Sequence, residues 1–251
     1  MNARIYFLGT GTAVPMKRGL PCIVLKIDSQ IHVFDIGEGC QNRMFEIGLS
    51  AVKVKSIFIS HLHGDHYLGL FGLLQSMNLL DKRDELQIIS PGELENVIKS
   101  FINEKLLKLH YQLSFICLKD NLEIGNEKFR VKAFRVEHSV ESYGFNVILG
   151  NGFKFTYTGD TLPIDRVVEE SRGSNILIHE ATFIKPDVAE AYEQKHSTAA
   201  DAAIIASRAG VKKLILTHIS PRYKDDSIVF YDAYRFFKNV VIAKDYLTIA
   251  I

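Results

Sequence analysis

The chain has 251 residues, 47% of them hydrophobic, enough apolar material for one substantial core, and that excludes disorder as a whole-chain state. Its 30 Lys and Arg nearly cancel 29 Asp and Glu, leaving a formal charge of +1, so no global field recruits a polyanion and any nucleic-acid partner must be held by local patches. Cys22, Cys40 and Cys117 form no C-x-x-C pair and suggest neither a disulfide framework nor a thiolate zinc site, which fits a reducing cytoplasm. The opening apolar run ends at Gly9, too short for a signal peptide, and no later run approaches the roughly 18 apolar residues of a membrane span. A soluble, cytoplasmic protein without a membrane partner is therefore expected.

In chain order, β-branched and aromatic runs at 4–8, 22–27, 32–36 and 56–60 read as strands. A helix is expected over 67–80, a strand over 86–89 and a longer helix over 93–109. Strands at 129–135, 143–149 and 153–158 follow, the last two joined around Asn151-Gly152 as a hairpin. Then come a strand at 175–178, a helix over 198–209, a strand at 213–217, a helix over 227–237 and strands at 240–243 and 246–251. Roughly a dozen strands are too many for one open doubly wound sheet, and no Pro- or Ser-rich linker interrupts the chain. The fold class is α/β (α+β): two mixed sheets packed face to face with helices outside, a single domain over residues 1–251.

Polar residues gather where strands end, at His61, Asp160, His179 and His218, and loops at strand ends converge on one rim. The densest signal is Ser60-His61-Leu62-His63-Gly64-Asp65-His66. Three imidazoles and a carboxylate between two apolar elements have little structural use. They suit a divalent ion such as Zn²⁺, with Gly64 allowing a tight turn. His138, Asp160 and His218 are the other candidate ligands; alone, each reads equally well as a surface histidine or a turn aspartate. Together the seven groups suffice for two ions if Asp160 bridges. Such a pair activates water at neutral pH and stabilises charge on a phosphoryl or carbonyl oxygen.

The run His61-x-His63-x-Asp65-His66, then His138, Gly159-Asp160-Thr161 and His218, resembles the metallo-β-lactamase superfamily, which implies a four-layer αβ/βα sandwich. His179-Glu180-Ala181-Thr182, His196-Ser197-Thr198, the opening Phe7 to Pro15 and the segment Leu214 to Tyr223 resemble the ribonuclease Z family of tRNA 3′-processing endoribonucleases. The resemblance implies one zinc on His61, His63 and His138, a second on Asp65, His66 and His218, and Asp160 shared, two Zn²⁺ per chain. Manganese is the alternative, because His and Asp ligands do not separate the two. It further implies that Asp65 orients the attacking water and that Glu180 with His196 protonates the leaving 3′ oxygen. Precursor tRNA is the implied substrate, and a homodimer the implied assembly. An imidazolium held by a carboxylate is a suitable acid for a poor alkoxide leaving group.

Two features depart from that pattern. Only 22 positions separate His138 from Asp160, where many relatives carry a long basic arm, and Pro15-Met16-Lys17-Arg18-Gly19-Leu20 only partly matches their Pro-x-Lys-x-Arg-Asn loop. The alternative function is thus an arm-less phosphodiesterase acting on other RNA or small diesters. Phosphates would fall to lysine and arginine patches: Lys17 with Arg18, Lys53 with Lys55, Lys82 with Arg83, the helical row Lys99, Lys105 and Lys108, and Lys212 with Lys213. Gly9-x-Gly11 lacks the third glycine of a dinucleotide loop, and Phe183 stands where a metalloprotease needs its second histidine. His32 and His110 are expected in core or helix-end roles.

Overall fold

The computed structural model describes residues 2–251, and Met1, the first residue of the expected domain, lies outside them. The chain forms two compact units, one running to Leu118 and including Asp245–Ile251, the other Lys119–Lys244.

The first unit is a seven-stranded mixed sheet with helices. Its elements are β1 (Ala3–Gly9), β2 (Cys22–Ile27), β3 (Gln30–Ile36), α1 (Cys40–Glu46), β4 (Val54–Phe58), α2 (Gly64–Tyr67), α3 (Gly69–Leu79), β5 (Leu86–Ser90), α4 (Glu93–Asn103) and β6 (Leu113–Cys117). The second unit contributes β7 (Glu123–Gly125), β8 (Phe129–Val136), β9 (Ser142–Leu149), β10 (Lys154–Tyr157), α5 (Asp165–Ser171), β11 (Ile176–Glu180), α6 (Val188–Glu193), α7 (Ala199–Ala209), β12 (Lys213–Thr217), α8 (Asp226–Tyr234) and β13 (Val240–Ile242). The last strand, β14 (Leu247–Ala250), returns to the first sheet.

Strand order is β14-β1-β2-β3-β4-β5-β6 in one sheet and β13-β12-β11-β10-β9-β8-β7 in the other. Each is half antiparallel and half parallel: β3 to β6 run parallel in the first, β10 to β13 in the second. The two mixed sheets with flanking helices are those expected from the sequence, and the β9–β10 hairpin closes at Gly152, whose φ of 81° requires the freedom of glycine. In the first unit Leu70, Leu73, Leu74 and Met77 of α3 and Leu94 and Ile98 of α4 pack with Val24, Val33, Ile57 and Ile88 of the sheet. The sheet's other face is buried too, with Phe34 stacked on Phe58 at 4.8 Å between ring centroids. That is why these strands read as unbroken apolar runs. In the second unit α5, α7 and α8 bring Val167, Ala202, Ala206 and Val229 onto Leu177, Leu214 and Leu216.

Several expectations change. The 93–109 helix stops at Asn103, because Lys105 takes a left-handed φ of 58° and β6 follows as an edge strand. Lys99, Lys105 and Lys108 therefore form no helical row. Lys82 is 2% exposed and donates to the carbonyl oxygens of Val54 at 2.9 Å and Val52 at 3.3 Å, so it offers nothing to a phosphate, and burial pushes its pKa down. Helices α1, α5 and α6 are short and were not expected. Cys22 and Cys40 form a disulfide, their Cα atoms 5.9 Å apart, contrary to the reading from cysteine count. The reason is topological: Cys22 opens β2 opposite Ile36 at the end of β3, and α1 begins four residues later. The Gly9 turn is a close backbone approach rather than a dinucleotide loop, since a Cβ there would lie 1.7 Å from the oxygen of Leu20. His32 is a core residue, its Nδ1 2.7 Å from Ser56 Oγ, and burial lowers its pKa to about 4.

Candidate active site

In the first unit the chain leaves β4, pairs once more through Ile59 N–H to Ile89 O, and turns at Ser60. Ser60 N–H donates to Asp35 Oδ1 at 2.7 Å and its hydroxyl to Asp35 Oδ2 at 2.8 Å. His61 to His66 then curl over the sheet end. Gly64 does not make the expected tight turn; it starts α2, with His66 N–H bonded to His63 O. The loop sits backbone to backbone on its support, for a Cβ on Gly37 would lie 2.3 Å from Asp65 O.

Four candidate ligands are thus gathered. His61 Nε2 and His63 Nδ1 stand 3.1 Å apart, and His66 Nε2 is 3.6 Å from Asp65 Oδ2. Two ligands about 2.1 Å from a tetrahedral ion stand roughly 3.4 Å apart, so both pairs have the spacing of neighbours around one metal. The ring orientations have a cause. His66 Nδ1 donates to Asp35 Oδ2 at 2.8 Å, and His61 Nδ1 donates to Ser60 Oγ at 2.9 Å, whose own proton goes to Asp35. A proton held on Nδ1 leaves the Nε2 lone pair for a metal. Asp35 is fully buried, with φ of 54°, an uncommon backbone state for a side chain that serves as orienter.

In the second unit the remaining candidates stand at the ends of four strands. His138 follows β8 and donates from Nδ1 to Lys195 O at 2.8 Å; burial lowers its pKa and favours the neutral, ligating form. Asp160 follows β10 and is 2% exposed. Glu180 ends β11, and His218 follows β12 in the left-handed region at φ 56°. His218 Nε2 lies 3.4 Å from Asp160 Oδ2, again the spacing of two ligands. Its Nδ1 donates to Thr182 Oγ1 at 2.8 Å, and that hydroxyl donates to Glu180 Oε2 at 2.6 Å. The carboxylate–hydroxyl–imidazole chain of the first unit is thereby repeated with other residues.

His196 enters from the loop before α7 and places Nδ1 2.9 Å from Glu180 Oε1. It also offers an atom to the group formed by Asp160 and His218, all within 4.8 Å. Glu180 accepts the Thr161 N–H at 2.8 Å. Burial alone would raise its pKa, but the His196 charge and hydrogen bond more than offset this and hold it below the usual carboxylate range. An imidazole beside a buried carboxylate has the chemistry to hold and donate a proton. His179, from the same motif, is fully buried with Nδ1 directed at Glu180 O and takes no place among these groups.

Each unit therefore assembles its own share of the expected residues: His61, His63, Asp65 and His66 in one, His138, Asp160, Glu180, His196 and His218 in the other. The orienting partners Asp35, Ser60 and Thr182 were not singled out from the sequence. Asp35 stands in β3 directly before Ile36 and Gly37, and a polar residue at a strand end was the available signal. The donor set, imidazoles with Nδ1 tied back and carboxylates beside them, fits divalent metal ions.

Residues 33–219 match the Beta-lactamase superfamily domain. The chain is 33% identical to Ribonuclease Z of Ignicoccus hospitalis, covering 100% of this chain and 99% of that one, and 35% identical to Ribonuclease Z of Archaeoglobus fulgidus, covering 100% and 98%. Those alignments span 296 and 304 positions against 251 residues here, so the relatives carry segments that this chain lacks. Among solved structures, human tRNase Z, short form, superposes with a TM-score of 0.82 at 33% identity over 98% of both chains. The metallo-beta-lactamase fold protein YhfI from Bacillus subtilis, at 20% identity and a TM-score of 0.84, shares the fold. With full-length identity, shared fold and a fitting donor set, the chain belongs to the ribonuclease Z family, the metal-dependent endoribonucleases of the beta-lactamase superfamily.

Proposed function

We propose that this protein is a zinc-dependent endoribonuclease that removes the 3′ trailer from tRNA precursors and leaves a 3′ hydroxyl. His61, His63 and His138 would hold one ion, Asp65, His66 and His218 a second, with Asp160 shared; manganese would suit the same ligands. When bound, two such ions lower the pKa of water and offset the charge that builds on the phosphoryl oxygens. Asp65 orients the attacking water and accepts its proton. His196, charged and steadied by Glu180, donates a proton to the departing 3′ oxygen, while Thr161 N–H and Thr182 hold the glutamate in place.

The observation that carries this reading is the 2.9 Å contact between His196 Nδ1 and the buried carboxylate of Glu180. A small diester with an acidic leaving group needs no such acid, whereas a ribose alkoxide does. We further propose a cytoplasmic homodimer folded as one domain. A second reading, an arm-less phosphodiesterase acting on other RNA or small diesters, is favoured by one feature: β9 and β10 fill the interval between His138 and Asp160, leaving no arm there to grip tRNA. The test is cleavage of a 3′-extended tRNA precursor with added zinc or manganese, mapped at nucleotide resolution. A metal-dependent cut beside the discriminator base supports tRNA maturation; hydrolysis of a small diester without any cut in the precursor selects the second reading.

A further inference from the structure

The last turns of α8 and the residues just after it expose three aromatic rings. Tyr231 is 61% exposed, Tyr234 38% and Phe236 38%. Leaving that much ring in water is unfavourable, and a cluster of this kind marks a contact surface. The rings are braced from beneath. Phe230 lies 5.3 Å from Tyr231 and stacks on Tyr234 at 5.2 Å. Cations rim them: Lys238 Nζ sits 4.1 Å over the Tyr234 ring while donating to Tyr234 O, and Lys185 Nζ sits 5.1 Å over Phe236. Arg235, next to Tyr234 in the chain, is exposed. The acid of this stretch, Asp232, is turned inward, accepting the N–H groups of Lys185 at 2.9 Å and Ala200 at 3.0 Å.

Those two bonds have a functional consequence. Lys185 lies five residues beyond Glu180 and Ala200 four beyond His196, so Asp232 ties α8 to the segments that follow both members of the Glu180–His196 pair. The ring cluster is held in register with the proton-donating pair of its own unit.

We infer that this face binds the single-stranded trailer of the RNA, its bases stacking on Tyr231, Tyr234 and Phe236 and its phosphates meeting Lys185, Arg235 and Lys238. The inference rests on the function proposed above. Exposed rings rimmed by cations suit unpaired bases, whereas a duplex hides its base faces and presents phosphates alone. A second copy of the chain suits it less, because an isologous contact would bring like cations together.

The experiment compares KM for a precursor with a trailer of about ten nucleotides and for one with a single extra nucleotide, in the wild type and in Tyr231→Ala/Tyr234→Ala/Phe236→Ala. The triple variant is expected to raise KM about tenfold on the long trailer, with kcat and the short-trailer KM unchanged. Tyr231→Phe should restore its share, since stacking needs the ring and not the hydroxyl. Lys238→Ala should flatten the salt dependence of long-trailer binding by a slope of about 0.7. Equal loss on both trailers, or none, overturns the inference. Anisotropy with a labelled single-stranded oligoribonucleotide reads the surface apart from cleavage. If the wild type cuts no precursor yet this binding weakens about tenfold in the variant, the face stands and the tRNA reading falls. If the variant only converts a dimer to monomers in sedimentation, the face belongs to a second copy and the inference is wrong.

Discussion

The two units supply candidate site residues in opposite ways. In the first, His61, His63, Asp65 and His66 lie within six positions on one loop after one strand; in the second, His138, Asp160, Glu180, His196 and His218 are spread over eighty positions and arrive from the ends of β8, β10, β11 and β12 and the loop before α7. The support beneath them is nonetheless the same. Asp35 reaches His61 through the Ser60 hydroxyl, and Glu180 reaches His218 through the Thr182 hydroxyl. The difference teaches that a contiguous motif concentrates its dependence on one carboxylate, whereas a dispersed one distributes it. Asp35 orients two imidazoles, His66 directly and His61 through Ser60; in the second unit Glu180 likewise holds His196 directly and His218 through Thr182, but His138 is held by a backbone carbonyl.

The strongest break of this comparison is Asp65→Ala, which would remove both a proposed ligand and the proposed water-orienting carboxylate. Turnover on precursor RNA should fall by at least about a thousandfold with an unchanged circular dichroism spectrum. Near-normal turnover in a folded variant would show that Asp65 has neither role. His196→Ala should cost about a hundredfold or more on RNA but little on an aryl phosphodiester, whose leaving group needs no proton. An equal loss on both substrates would make His196 a structural residue instead.

The orienters sharpen the contrast further. Asp35→Asn should weaken zinc binding about 10- to 100-fold in competition with a chelator, and Thr182→Val by less, because one supports two imidazoles and the other a single one. If Thr182→Val proves the more damaging, the asymmetry between the units is wrong. The smallest effect concerns the frame: Thr198, the last residue of the His196 motif, caps α7 with a reciprocal box to Asp201. Thr198→Ala should cost about 1 kcal/mol in urea unfolding with the chemistry intact.

How much of this was legible in the sequence follows the same divide. His61 to His66 announced a metal loop by density alone, and the fold class followed from the strand count and the hairpin at Asn151-Gly152. His138, Asp160 and His218 were ambiguous one by one, and Glu180 with His196 carried meaning only through family resemblance, because nothing local distinguishes them from surface residues. Asp35, Ser60 and Thr182 act through other side chains, a relation that exists only once β3, β4 and β11 have folded. The short helices α1, α5 and α6 lack the length for a clear period, Lys105 ended a helix that periodicity would have continued, and the Cys22–Cys40 bridge depends on which strand ends meet.

The measurement that tests the central claim most directly is metal stoichiometry of purified protein by inductively coupled plasma mass spectrometry, read beside His61→Ala and His218→Ala. The account predicts about two equivalents per chain in the wild type and about one in each variant, as the proposed ligand sets require. Two equivalents retained in His218→Ala would contradict it.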